Sequence, residues 1–97
     1  MREYEVTVIL QSKLEEPQRN QLIEAVSELL VPGAGEDEKP KVDVWGRRKM
    51  AYPIRKQTEG FYVLYHASMD PARIDDIERS MQYNEDILRY LVIRKPE

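Results

Sequence analysis

The chain opens with a segment in which apolar side chains recur at every second position. Between residues 4 and 10, one face of an extended strand would carry Tyr4, Val6, Val8 and Leu10. Such alternation is typical of a strand with one buried face, because successive side chains point to opposite sides. The pattern therefore predicts a first strand, whose other face would carry Glu5, Thr7 and Ile9.

From about Glu16 the apolar spacing becomes that of a helix. Apolar residues now recur three or four positions apart, at Leu22, Ile23, Val26, Leu29 and Leu30. This spacing places them on one side of a helix, and Pro17 is tolerated because it falls in the first turn. We expect Pro32 and Gly33 to end the helix and residues 33–40 to form an acidic loop.

Two further strands follow, and we expect a long hairpin connection between them. The second strand should run over about residues 41–52, with Gly46 at a position that favours a bulge. Pro53 should end it, because proline cannot donate a hydrogen bond within a sheet. Residues 53–59 would then form the connection, and a third strand would cover residues 60–67. Its more apolar face would carry Phe61, Val63, Tyr65 and Ala67, and its more exposed face Tyr62, Leu64, His66 and Ser68.

The last third of the chain predicts one more helix and one more strand. Asp70 followed by Pro71 is a typical helix start, since the carboxylate caps the helix and proline suits its first position. A narrow apolar stripe then follows at Ile74, Ile77 and Met81. The final strand should cover residues 88–94.

This order of elements predicts an α+β fold of the ferredoxin-like βαββαβ type, in a single domain over residues 1–97. Right-handed crossovers would give a four-stranded antiparallel sheet with both helices on one face. The other face must meet water or a partner. We expect it to show Ile9, Tyr62, Leu64 and Val92, either as a patch for a partner or as ordinary scattered surface residues.

Composition narrows the function mainly by what it excludes. The chain has no cysteine and one histidine, His66, which rules out disulfides, thiolate metal sites and multi-histidine metal sites. No run is apolar enough to span a bilayer, and the N-terminus lacks the apolar stretch of a secretory signal. We therefore expect a cytoplasmic protein without a metal or other cofactor.

Charge is concentrated in one segment of this acidic chain, whose net charge is −3. Residues 41–56 contain six of the fifteen basic side chains and carry about +5, while residues 1–40 carry about −5 and residues 57–97 about −3. A local excess of cations on an acidic protein favours a polyanionic ligand. The alternative is a solvated hairpin end, because short basic runs also occur on ordinary surfaces.

The residue types in the basic segment suit phosphate binding. Arg47 and Lys49 would share one face of the strand and Arg48 the other. Together with Arg55 and Lys56, two or three of these cations could reach adjacent phosphates, and the planar arginine fork grips phosphate bidentately.

Aromatic residues near the basic segment allow two further interpretations. Trp45 and Tyr52 flank it and could stack on unpaired bases or pack on a protein neighbour. Residues 59–65 invite comparison with the third-strand signature of RNA-recognition motifs, but Glu59 stands where a basic residue is wanted and Tyr62 where a small one is wanted. Base recognition by sheet aromatics is thus a minor hypothesis.

No enzyme class is supported by the sequence. His66, Ser68 and Asp70 have the residue types of a catalytic triad, but no nucleophile elbow or oxyanion loop accompanies them. Acylphosphatases share the predicted architecture, yet residues 10–14 lack the glycines that would bring backbone amides around an anion.

Four segments in the expected order resemble the family of the sixth protein of the bacterial small ribosomal subunit. They are residues 1–5 (MREYE), 46–54 (GRRKMAYPI), 60–62 (GFY) and 86–94 (DILRYLVIR). The resemblance covers nearly the whole chain, and residues 48–54 are its specific part. It implies a non-catalytic ferredoxin-like ribosomal protein that binds the central domain of 16S ribosomal RNA as a heterodimer with the eighteenth small-subunit protein, during assembly of the platform.

Carried over by residue, the resemblance implies two sets of contacts. The RNA would be bound by Arg2, Arg47, Arg48, Arg55, Lys56 and Arg89. The protein partner would be met by Tyr52, Phe61 and Tyr62, although the strand alternation places Phe61 inward. The acidic loop over residues 31–41 looks longer than is usual in the family.

Two hypotheses of other classes stay open at this point. One is a ligand-sensing domain of the same fold that forms homodimers through sheet edges. The other is a phosphate-ester or acylphosphate hydrolase.

Overall fold

The computed structural model describes residues 1–96 and has the predicted order of elements. Its strands are β1 (Arg2–Gln11), β2 (Lys41–Ile54), β3 (Gln57–Met69) and β4 (Ile87–Arg94). Its helices are α1 (Glu16–Leu30) and α2 (Ile74–Gln82), the second preceded by a 3-10 turn over Pro71–Arg73. The strands form one antiparallel sheet in the order β2-β3-β1-β4. The ferredoxin-like fold predicted from the sequence is confirmed.

The main core lies between the sheet and the two helices, on the face that the alternation predicted. The β1 residues Tyr4, Val6, Val8 and Leu10 are buried, as are Val63, Tyr65 and Ala67 of β3. The helices contribute the buried stripes Ile23, Val26 and Leu30 from α1 and Ile77 and Met81 from α2. At about 25 cal/mol per Å² of apolar surface removed from water, this layer is the dominant stabilising term of the fold.

Both ends of α1 are capped by side chains. At the start, Pro17 occupies the first turn as expected, and the Gln18 Oε1 accepts a hydrogen bond from the Glu15 backbone nitrogen at 3.4 Å. At the end, the Arg73 guanidinium donates to the carbonyl oxygens of Leu29 and Leu30 at 3.1 and 3.2 Å. A cation at a helix C-terminus satisfies orphan carbonyls and complements the helix dipole.

The connection between β2 and β3 is much shorter than the sequence analysis predicted. The second strand continues through Pro53 to Ile54, the third begins at Gln57, and Ile54 pairs with Gln57 across a two-residue turn. Proline does not stop β2 because this strand lies at an edge of the sheet, where a missing N–H is tolerated. The expected long loop over residues 53–59 is therefore wrong.

The open face of the sheet differs from the prediction at one residue of β4. Val92 lies opposite Val6 and packs against the main core, so it does not belong to the open face. The open face of β4 instead shows Leu91 and Ile93, about half exposed, opposite Thr7 and Glu5. A bulge at Leu88 causes the difference, because one extra residue reverses which side chains point outward.

One end of the open face is covered by a second, smaller hydrophobic cluster. Ile9, Met50 and Leu88 are buried there, and Ile54 and Tyr62 pack against them. Gly60 permits this arrangement, since a Cβ at that position would lie 2.3 Å from the Ile9 Cγ2. The end of the β2–β3 hairpin thereby folds over the sheet towards β4.

Candidate nucleic-acid interface

The tip of the β2–β3 hairpin consists of two cations in a strained turn. Arg55 and Lys56 are exposed and have positive φ values of 49° and 65°. Two consecutive positive φ values are the mark of a type I′ turn, whose twist matches that of the flanking strands but which normally uses asparagine and glycine. Strained backbone of this kind is often found at functional sites. Here it presents two positive charges side by side.

Arg55 also fixes the position of the tip. Its guanidinium donates a hydrogen bond to the backbone carbonyl oxygen of Glu85 at 2.9 Å. Glu85 lies in the connection between α2 and β4. The tip is thus held beside the start of β4, which carries the next cation of the group.

Arg89 and Tyr52 meet although β2 and β4 form opposite edges of the sheet. The Arg89 guanidinium donates to the Tyr52 hydroxyl oxygen, and its Cζ lies 6.0 Å from the centre of the ring. The contact depends on the irregular segment of β2 between Lys49 and Ile54, where the strand leaves its regular register with β3. It places Arg89 close to the hairpin end.

Arg47 and Arg48 extend the basic surface onto both sides of the hairpin. Arg47 lies opposite Phe61 on the helix side, and its guanidinium donates to the carbonyl oxygen of Ser12 at 3.2 Å. Arg48 lies opposite Gly60, and its guanidinium packs over the Trp45 ring at 5.0 Å. Both side chains are exposed, and they point in opposite directions as the strand alternation predicted.

Arg2 is the one RNA-binding candidate that lies apart from the others. It pairs with Met69 at the far end of β1, whereas Gln11 at the near end pairs with Gly60. Nine residues of strand separate the two ends, which corresponds to about 30 Å. Arg2 instead lies at the end of the sheet where β4 finishes with Arg94. The structure therefore groups Arg47, Arg48, Arg55, Lys56 and Arg89, with Arg2 at the opposite end.

The three aromatic partner candidates occupy different sides of the sheet. Tyr52 is 56% exposed and lines a shallow hollow with the half-buried Tyr62 on the open face. Phe61 lies on the helix side, as its alternation predicted, where it packs against the main core under the guanidinium of Arg19 at 4.2 Å.

Several residues of this region were missed by the sequence analysis. Met50 and Leu88 bury the hairpin end, and Arg19 covers Phe61 with an Nε that has no hydrogen-bond partner within residues 1–96. An apolar residue beside a basic run gives no signal of burial, and Arg19 reaches Phe61 only through the packing of α1 on β3.

Two findings concern other kinds of site. No three histidine, aspartate or glutamate side chains come together as metal ligands anywhere in residues 1–96. Within the same range, no helix has the length and apolar character that crossing a membrane requires.

Comparison with known proteins identifies the class to which this chain belongs, namely structural proteins of the ribosome. The sequence model described as ribosomal protein S6 matches residues 3–94. The chain belongs to the ribosomal protein S6 family. It is a structural, non-enzymatic constituent of the small ribosomal subunit, a ribonucleoprotein, and as such is bound to the ribosome in the cytoplasm.

Individual relatives resemble the chain over nearly its full length. The small ribosomal subunit protein bS6 of Streptomyces griseus is 44% identical over 94 residues, covering 97% of this chain and 96% of the relative. The bS6 protein of Caldanaerobacter subterraneus is 42% identical and covers 97% of both chains. The crystal structure of 30S ribosomal protein S6 from Thermotoga maritima superposes with a TM-score of 0.84 at 28% identity, covering 97% of this chain and 87% of that one.

Proposed function

We propose that this protein binds the central domain of 16S ribosomal RNA as a heterodimer with the eighteenth small-subunit protein, and that it does so during assembly of the platform. The observation that carries the proposal is the group of exposed cations at the hairpin end, on a chain whose net charge is −3. A ribosomal protein with one concentrated positive surface has an evident use for it against phosphate.

The RNA contact would be made chiefly by Arg55, Lys56 and Arg89, with Arg47 and Arg48 along the hairpin. The first three lie within one small region, since Arg55 is held to the carbonyl oxygen of Glu85 and Arg89 to Tyr52. The guanidinium groups of Arg55 and Arg89 each use one donor in these bonds and have others to offer a phosphate, and the Lys56 ammonium adds a charge beside them. Arg2, about 30 Å away, would contact a separate part of the RNA.

The protein partner would meet the open face of the sheet. That face shows Leu91 at 51% and Ile93 at 48% exposure, beside the half-buried Leu64 and Tyr62. Glu5 and Asp43 lie among these apolar residues, opposite Ile93 and Leu64. An apolar surface with carboxylates fits a basic partner. Tyr52 and Tyr62 would border the contact, whereas Phe61 lies on the helix side of the sheet and would not belong to it.

The division of charge makes the partner important for RNA affinity. Outside residues 41–56 the chain carries about −8, which opposes the approach of a polyanion. A basic partner on the open face would neutralise part of this charge. The isolated chain should therefore bind RNA weakly, and the heterodimer should bind it tightly.

A pair of charge-matched double variants tests the RNA surface. In Arg55→Ala with Lys56→Ala, two proposed phosphate contacts are removed, which should weaken binding of the heterodimer to a central-domain RNA fragment. The slope of log K against log salt should become shallower by about 1.5, since each contact contributes about 0.7–0.9.

The control removes the same charge from another surface. Arg79 and Lys39 are exposed and pair with Asp76 and Glu36 at 3.5 and 3.4 Å. Alanine at these two positions should leave both affinity and slope close to wild type. Equal losses of RNA affinity in the two double variants would mean that only net charge matters, and the proposed RNA-binding surface would be wrong.

A further inference from the structure

Trp45 is an exposed aromatic residue on the free edge of the sheet. It is 44% exposed and belongs to neither hydrophobic cluster among residues 1–96. A bulge puts it there: Val44 pairs with Val63 and Gly46 with Tyr62, so Trp45 is the extra residue without a partner on β3. Gly46 permits the bend with a φ of 86°. Packing in the core therefore does not explain this side chain.

A cation lies directly beside the ring. The Arg48 guanidinium lies 5.0 Å from the ring centre. Stacking on the indole limits the freedom of the arginine and keeps it beside the ring. An aromatic face with a cation next to it is the arrangement that binds single-stranded nucleic acid, where a base stacks on the ring and the cation contacts its phosphate.

We infer that Trp45 and Arg48 form a stacking site for one unpaired nucleotide of the RNA. The inference rests on the proposed RNA binding and adds a site on the sheet edge, distinct from the phosphate contacts at the hairpin tip. Charge favours RNA over the protein partner as the occupant. The Arg48 cation at the ring would repel the basic partner that the open face suits, whereas it attracts a polyanion.

Fluorescence gives a direct test, because Trp45 is the only tryptophan in the chain. The heterodimer is titrated with the central-domain RNA fragment, and the same titration with a Trp45→Phe heterodimer is subtracted to isolate the emission of Trp45. Stacking on a base should quench that emission, with the same midpoint as binding. Addition of the partner protein without RNA should leave it nearly unchanged.

Affinity measurements on variants distinguish stacking from charge. Trp45→Ala should weaken RNA binding about tenfold, while leaving the salt slope nearly unchanged because the charge of Arg48 is kept. Trp45→Phe keeps an aromatic ring and should lose less RNA affinity than Trp45→Ala. Tyr83→Ala removes an aromatic residue that is 78% exposed at the end of α2, and it should bind as wild type. Thermal unfolding of each variant verifies that it is folded.

Two results would overturn the inference. If the partner alone changes the emission of Trp45 and Trp45→Ala weakens the protein pair, this edge belongs to the protein interface. If RNA binds without quenching and Trp45→Ala binds as tightly as wild type, the ring faces solvent. The proposed RNA binding is tested separately by the Arg55→Ala, Lys56→Ala variant. A shallower slope of log K against log salt in that variant would support RNA binding in either case, and an unchanged slope would reject it.

Discussion

The buried hydroxyl of Tyr65 donates a hydrogen bond to the backbone carbonyl oxygen of Ile23 at 2.9 Å, and so joins β3 to α1 through the core. Tyr65 is 1% exposed, and it is among the largest side chains that are fully buried in the described part of the chain. Its ring fills space between the sheet and the helix, while its one polar atom is satisfied by the helix backbone. This contact positions α1 over the sheet.

Tyr65→Phe should destabilise the fold by about 1–2 kcal/mol, because the ring is kept while a buried hydrogen bond to a carbonyl is lost. Urea unfolding of the two proteins measures the difference. Tyr83→Phe is the matched control, since its hydroxyl lies on a residue that is 78% exposed. That control should stay within about 0.5 kcal/mol of wild type. Equal effects at the two positions would contradict the assigned role of the Tyr65 hydroxyl.

Stability should also depend on pH through the same hydroxyl. Burial, reinforced by the negative charge of Glu24, raises the pKa of Tyr65 above its ordinary value of 10.0. The unfolded chain then loses this proton at lower pH than the folded chain does, so the stabilising contribution is complete below about pH 10 and is lost as pH rises further. The stability difference between wild type and Tyr65→Phe should therefore shrink from about pH 9 to about pH 11, and a constant difference would be inconsistent with this pKa.

The turn at the hairpin tip should trade stability against RNA binding. Arg55→Asn with Lys56→Gly supplies the residues that a type I′ turn favours. Relief of two positive-φ positions should outweigh the loss of the exposed bond from Arg55 to Glu85 and raise the free energy of unfolding by about 0.5–2 kcal/mol. RNA affinity of the heterodimer should fall, since two cations are removed. Urea unfolding and RNA titration of one preparation check both effects, and a variant that is less stable than wild type would contradict the assigned turn strain.

Adjacent residues of β4 should separate partner binding from stability. Leu91→Ser alters the open face and should weaken pairing with the eighteenth protein while costing little stability, because the side chain is 51% exposed. Val92→Ser alters the helix-side face, where the valine packs against the main core, and should mainly destabilise the fold by about 1–3 kcal/mol. Calorimetric titration with the partner and thermal unfolding measure the two effects. The reverse pattern would place the partner on the other side of the sheet.

The sequence alone is sufficient to predict the elements that depend on local patterns. The strand alternation of β1 and the start of α1 at Glu16 appear as predicted, and Gly46 does mark a bulge. Asp70 is a cap as predicted, but of a 3-10 turn over Pro71–Arg73 that leads into α2 at Ile74. Each of these depends on neighbouring residues alone. Local spacing is therefore a reliable guide to this fold.

The errors arise where local signals are missing or where distant segments meet. The hairpin turn has neither asparagine nor glycine, so nothing in Arg55 and Lys56 indicates two positive φ values. Apart from Arg89, residues 87–93 are apolar or aromatic on both faces, so alternation alone could not assign Val92 once a bulge intervened. The contact between Arg89 and Tyr52 joins opposite edges of the sheet, and no pattern along the chain records it.

The most direct test of the proposed function is a titration of a central-domain 16S RNA fragment with this protein, alone and with the eighteenth protein, at two salt concentrations. Four or five phosphate contacts from this chain predict that it contributes about −3 to −4 to the slope of the heterodimer. The net charge of −3 predicts that the isolated chain binds the RNA weakly. If the isolated chain binds as tightly as the pair, or if the pair binds with no salt dependence, the account of a partner-assisted basic surface is wrong.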